Sequence, residues 1–116
     1  MERIPGITVW AMTQSRPPVP FPDTIWDDVG RALNALHAED WVFGDLRIPN
    51  VMCVPTESGM HAKLVDFDWA GKHGIDRYPA TMNVGSMDWT PGMDRYEIMK
   101  KHHDLQMLRR LRWTSA

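Results

Sequence analysis

The apolar positions of the chain fall into two helical stripes and one pair of short alternating runs. Ile25, Trp26, Val29, Ala32, Leu33 and Leu36 recur at three- and four-residue spacing, which predicts a helix from Thr24 to about His37. Thr24 is the expected cap, with Asp27 in the capping-box position and Asp28 beside it, acids that suit the positive end of a helix. Gly30 interrupts this helix at a cost of roughly 1 kcal/mol relative to alanine, so close packing is its expected reason. Ile98, Leu105, Leu108 and Leu111 predict a second helix from about Tyr96 to Trp113. Between the helices, Val51–Val54 and Ala62–Val65 read as strands of a hairpin turned by Pro55 to Gly59. At the start, Ile7-Thr8-Val9-Trp10 is β-like, and the prolines at 17, 18, 20 and 22 make an extended connector. Residues 66–95, broken by Gly71, Gly74, Pro79, Gly85, Pro91 and Gly92, read as one long loop. Loops of such length in small domains tend to be functional or disordered.

Composition narrows the setting. The 116 residues fit one domain, with 43% apolar and 24% charged residues, as in ordinary globular proteins. A formal charge of −2 gives no electrostatic reason to expect nucleic acid or an anionic membrane as partner. The single cysteine, Cys53, cannot form an intramolecular disulfide, points to a reducing compartment, and reads as a small buried hydrophobe on its strand. No apolar run reaches the ~20 residues that span a bilayer, and Met-Glu-Arg-Ile-Pro-Gly is unlike a signal peptide. The expected location is therefore intracellular, cytoplasm or nucleus. Six tryptophans and nine methionines suggest a core of large, adaptable side chains.

Chemistry concentrates in one stretch. Asp45 and Asn50 lie five apart in a polar loop that follows Trp41-Val42-Phe43-Gly44, and Asp66 ends the returning strand of the hairpin. A hairpin brings its outer ends together, so the three side chains converge. Such carboxylate and amide oxygens suit magnesium, a hard cation that usually keeps water and substrate phosphates among its ligands.

These residues carry a resemblance. Leu36-His37 followed by Phe43-Gly44-Asp45-Leu46-Arg47-Ile48-Pro49-Asn50 resembles the protein-kinase catalytic loop, and Lys63-Leu64-Val65-Asp66-Phe67-Asp68 resembles the strand entering D-F-G. The variants G-D-L-R-x-P-N and D-F-D-W-A-G look closest to divergent fungal kinase-like proteins, and are also similar to small-molecule phosphotransferases that write H-G-D-L-x-x-x-N. Trp89-Thr90-Pro91-Gly92 resembles the end of an activation segment, and His103-Asp104-Leu105 the start of the buried helix whose aspartate ties down the catalytic loop. The resemblance spans residues 24–113. It implies an α+β fold, mainly α: a partial kinase C-lobe with one β-hairpin and a long activation-segment-like loop. Residues 1–22 would be a hinge-like strand and proline-rich connector, and 23–116 the C-lobe segment. It also implies ATP and Mg2+ as ligands, with Asp45 as base, Arg47 neutralising charge near the transferred phosphate, and Asn50 and Asp66 holding ATP through the metal. Asp68, where the family has glycine, would add a second carboxylate near the metal or else stand as a solvated loop aspartate. Asp104 and Phe43 would be structural, Phe43 bracing the loop in place of the usual histidine.

Other parts of the family pattern are missing. No lysine precedes Asp45, the first being Lys63, and only Gly6, Gly30 and Gly44 precede it, so neither a glycine-rich loop nor a phosphate-gripping lysine can be assigned. The expectation is a phosphotransferase fragment, inactive or very weak alone, with apolar surface left where an N-terminal lobe would pack and self-association through it. Gly44 replaces the arginine that receives activation-loop phosphate. Two alternatives stand beside this reading: a pseudokinase-like module that binds a protein partner, and a small-molecule phosphotransferase remnant hinted at by Gly44. Among side readings, His73, His102 and His103 have no closed zinc spacing. Tyr78, Thr81 and Ser86 are ordinary loop hydroxyls, and Arg109, Arg110 and Arg112 are favourable charges at a helix C-terminus.

Overall fold

A computed structural model describes residues 6–82 and 89–114. The order of elements is β1 (Ile7–Thr8), α1 (Val9–Gln14), α2 (Ile25–Ala38), β2 (Trp41–Val42), a 3-10 turn at Ile48–Asn50, β3 (Val51–Thr56), β4 (Gly59–Leu64), β5 (Gly71–Lys72) and α3 (Lys101–Thr114). One antiparallel sheet has the order β1-β3-β4, and a second pairs β2 with β5. The α+β class expected from the sequence is the one observed, and it is compatible with a partial kinase-like lobe. No helix among the described residues is long and apolar enough to cross a membrane.

Helix α2 is the organising element. Its stripe is the predicted one: Ile25, Trp26, Val29 and Leu33 are buried, with Ala32 and Leu36 packed against them. The hairpin lies over one side of α2 and α3 over another. Thr24 makes no side-chain cap bond, because its backbone is already helical. Asp28 does not merely face the helix end: its carboxylate accepts from the Ala62 backbone N–H at 2.9 Å and from His61 Nδ1 at 3.0 Å, and pairs with Arg31. Burial opposes the charge on Asp28, but these donors together hold its carboxyl below the usual range. At the other end of α2, Asp40 adopts a left-handed φ of 62° and closes the helix with its N–H on the His37 carbonyl.

Several expectations shift. The β-like run Ile7–Trp10 is only half strand. Ile7 and Thr8 pair with Cys53 and Met52, and then the Thr8 side chain accepts from the Ala11 N–H and starts α1. A local cap and two buried side chains, Val9 and Met12, outweigh the β preference of the segment. The second long helix begins at Lys101 rather than Tyr96, since Tyr96 has a φ of 63° and Ile98 bridges Arg77 in an extended pairing. Its buried face is His103, Asp104 and Met107, with Leu108 and Leu111 against the core, while Leu105 is 44% exposed. The loop from 66 to 95 contains β5, whose Gly71 and Lys72 pair with Val42 and Trp41. The hairpin is longer than its apolar runs, with Thr56 opposite Gly59. Methionines do supply the core, through Met12, Met82, Met93, Met99 and Met107. Tryptophans do so in part: Trp26 is buried and Trp69 and Trp89 pack against the core, but Trp10, Trp41 and Trp113 are exposed.

Gly30 is not required by space. A Cβ there would meet Leu108 Cδ2 of α3 at 3.6 Å, an ordinary contact. Gly30→Ala should therefore raise the unfolding free energy by about 0.5–1 kcal/mol, through the reduced entropy of the unfolded chain and an added contact. A urea midpoint that falls in this variant would show that α2 and α3 pack more tightly than this.

Candidate active site

The loop following β2 is pinned from outside itself. Asp104, in the first turn of α3 and 1% exposed, accepts from the Phe43 N–H at 2.7 Å and the Gly44 N–H at 3.0 Å. His37 Nε2, from the last turn of α2, donates to the same carboxylate at 2.9 Å. Three elements thus meet on one buried anion, and each donor offsets part of its desolvation. Gly44 has a φ of 86°, and a Cβ there would lie 2.6 Å from Met99 Cε and 3.0 Å from the Trp69 carbonyl. Only glycine fits that turn.

Beyond Gly44 the chain presents Asp45, which is 3% exposed. Arg47 grips it from two residues on, with Nε donating to Oδ1 at 2.6 Å and Nη2 to Oδ2 at 3.2 Å. A carboxylate offers about four acceptor positions, so these two bonds leave room for an incoming hydroxyl. Asn50 ends the 3-10 turn. Its Nδ2 donates to the Asp45 carbonyl at 2.8 Å, and its own carbonyl accepts from the Val65 N–H at 2.9 Å. The loop and the end of the hairpin are thereby held side by side. Asp66 follows, exposed, with a left-handed φ of 64° that an aspartate tolerates better than most residues, and it accepts from the Asp68 N–H at 3.3 Å. Phe67 turns back and packs edge-on to buried Phe43, with ring centroids 5.3 Å apart.

The sequence placed Asp45, Arg47, Asn50 and Asp66 in one region, and the structure puts them on adjoining turns, with Asp68 exposed beside Asp66. The donor set fits a hard cation. The amide nitrogen of Asn50 is spent on the Asp45 carbonyl, which turns the amide oxygen away from that bond, and the Asp66 carboxylate is open to solvent. No group of three His, Cys, Asp or Glu side chains among the described residues could hold a metal. A cation at Asn50 and Asp66 would therefore complete its shell with water and substrate oxygens.

His37 carries no role in the loop motif as read from the sequence, and its signal is its position in the last turn of α2. Tyr78 is not an accessible loop hydroxyl. It is 1% exposed, its hydroxyl lies 2.7 Å from His103 Nδ1, and burial together with the Asp104 charge pushes its phenol upward. Thr81 is exposed, and Ser86 lies outside the described residues. His73 Nδ1 accepts from the Lys101 N–H at 3.0 Å.

The chain matches the lipopolysaccharide kinase (Kdo/WaaP) family over residues 1–81, a span that takes in Asp45, Arg47, Asn50, Asp66 and Asp68 and stops before α3. No curated protein matches it.

Two outcomes test this arrangement. Asp104→Ala leaves two buried backbone N–H groups without a partner, and should cost about 3 kcal/mol in urea unfolding; a loss below ~1 kcal/mol would mean the loop is held by something else. The second concerns His103, whose imidazole burial, aided by the adjacent His102, pushes down to about 4. The unfolded chain takes up that proton near pH 6.5, the folded chain only near 4. Between these values the unfolded state binds more protons, so stability falls as pH drops through this window. His103→Gln should flatten that part of the stability–pH curve, and an unchanged slope would assign it to another group.

Proposed function

The chain belongs to the lipopolysaccharide kinase (Kdo/WaaP) family, and from that premise we propose that it carries the acceptor-and-metal half of an ATP-dependent phosphotransferase site. A kinase-like phosphotransfer is what the family match supports. The residue roles are our reading, carried chiefly by one observation: Asp45, held by Arg47, adjoins Asn50 and the open Asp66 carboxylate on a loop pinned by Asp104.

In this reading Asp45 orients the acceptor hydroxyl and receives its proton. Arg47 holds the carboxylate in position through two hydrogen bonds and faces charge that develops on the phosphate. Asn50 and Asp66, with Asp68 alongside, would hold Mg2+. Bound there, the ion would neutralise the ATP phosphates and orient the transferred group. Phe43 and Phe67 keep the loop and the Asp66 turn in contact. Residues 23–116 form the C-lobe-like segment and 1–22 the hinge-like one, although Val9 and Met12 join the same core, so the division is one of role rather than of packing. The motif variants are those of a divergent branch, and the fungal kinase-like resemblance belongs to this reading.

For the acceptor, the family description favours a hydroxyl on a small molecule or glycan over one on a protein, and Gly44 before Asp45 agrees with the small-molecule alternative. A pseudokinase-like binding role has its own support in an open apolar hollow formed by Ala32, Ala35, Leu36, Ala62, Leu64 and Phe67. Something apolar covering that hollow, a partner or a second copy, would stabilise the chain. Within these 116 residues no lysine precedes Asp45 to grip the α- and β-phosphates. The chain by itself should therefore transfer phosphate very slowly or not at all.

The test is calorimetric titration with ATP, with and without Mg2+, on the chain and on Asp66→Asn. We expect weak, metal-dependent binding that drops about tenfold in the variant, as loss of a charged ligand implies. Equal binding in both proteins would remove Asp66 from the site. Phosphate transfer by the chain alone that Asp45→Ala abolishes would overturn the expected inactivity.

A further inference from the structure

The tip of the β3–β4 hairpin carries a group of side chains that the phosphotransfer residues do not use. Ser58 is exposed in the turn between Thr56 and Gly59, and its Oγ lies 2.8 Å from His61 Nε2. The other ring nitrogen, Nδ1, lies 3.0 Å from Oδ2 of Asp28, in the first turn of α2. Hydroxyl, imidazole and carboxylate thus follow in the order of a nucleophile, its base and the group that orients the base. Strands rise about 3.3 Å per residue, so the tip stands about 20 Å from the Asn50 end of the hairpin. It is a centre apart from Asp45.

Hydrogen-bond chemistry sets which of these atoms carry protons. Burial opposes the charge on Asp28, but the Ala62 N–H, His61 and Arg31 hold its carboxyl below the usual range. An ionised carboxylate only accepts, so His61 Nδ1 bears the hydrogen of that contact. In the neutral ring Nε2 is then a lone-pair acceptor, and the Ser58 hydroxyl donates to it. The other neighbour of Ser58 is Thr56 Oγ1 at 3.1 Å, whose own proton goes to the Gly59 carbonyl at 2.7 Å. Asp28 is well covered and tied to the Ala62 backbone at 2.9 Å, which aims the ring, while His61 stays partly open to solvent. A Cβ at Gly59 would meet no atom within 4 Å, so the space beside the turn is open to an incoming molecule.

We infer that Ser58 is a nucleophilic serine, with His61 as its base and Asp28 positioning the ring, and that it takes an acyl group from small activated esters. As Oγ bonds to the ester carbonyl carbon, its proton passes to His61 Nε2. Collapse of the tetrahedral intermediate breaks the bond to the leaving oxygen, which takes that proton from Nε2. Ester and serine become acyl-serine and an alcohol, the ring is neutral again, and nothing is oxidised or reduced. Neither Asp45 nor a metal enters the step, so it does not rest on the phosphotransferase reading.

The full chain is incubated with p-nitrophenyl acetate at neutral pH, and the acetylated positions are located and timed by peptide mass mapping. Ser15, whose hydroxyl donates to the Ala11 carbonyl, serves as the comparison within the same chain. Ser58 should be acetylated about a hundredfold faster than Ser15, and about a hundredfold slower in His61→Gln, as loss of a general base implies. In urea the rate at Ser58 should fall to that of Ser15, which ties the reactivity to the folded arrangement even where the His61 variant is unstable. Equal labelling of Ser58 and Ser15 in the folded chain overturns the inference. So does acetyl on His61 with none on Ser58, or a rate at Ser58 unchanged by His61→Gln.

Discussion

The buried carboxylate of Asp104 is the constraint around which the molecule is arranged. It lies sixty residues along the chain from the backbone it serves, yet it accepts from Phe43, Gly44 and His37 together. An anion so deeply buried is tolerable only with its acceptor positions filled. That requirement fixes the distance between the start of α3, the end of α2 and the strand β2. Once β2 is placed, Gly71 and Lys72 pair with it, and Gly44 is forced into the one turn that the Met99 and Trp69 contacts permit.

The reactive loop inherits its rigidity from this arrangement. Asp45 emerges directly after the two pinned amides, and the Asn50 side chain bonds back to the Asp45 carbonyl. The 3-10 turn between them is therefore closed at both ends before any ligand arrives, which spares the site an ordering cost at the moment of binding. The Asp66 side is looser. It is exposed, in a left-handed conformation, and tied mainly by Phe67 against Phe43. A stiff acceptor side and a more open metal side suit a site in which one carboxylate must hold its aim and the other must admit ligand.

Much of this was legible in the residues. The α2 stripe, the hairpin and the ordered set Asp45, Asn50, Asp66 can be read because each depends on spacing within one element or across one turn. Where reading failed, two local signals competed or a distant partner decided. Ile7–Trp10 has β-forming residues, but Thr8 also caps, and the cap with buried Val9 and Met12 won. Leu105 fits an apolar stripe, yet the neighbours of α3 lie against His103, Asp104 and Met107, so it faces out. Tyr78 resembles any loop hydroxyl until His103 of α3 is brought to it.

The sequence by itself determined the fold class and which side chains carry oxygen chemistry, because periodicity and residue type act over a few positions. Tertiary structure alone decided that Asp104 and His37 hold the loop, that Arg47 clasps Asp45, and that Asp28 joins α2 to β4. Each of these joins residues by geometry that no local pattern encodes, and the free energy of burying a charge is settled only when its partners, wherever they lie in the chain, have arrived.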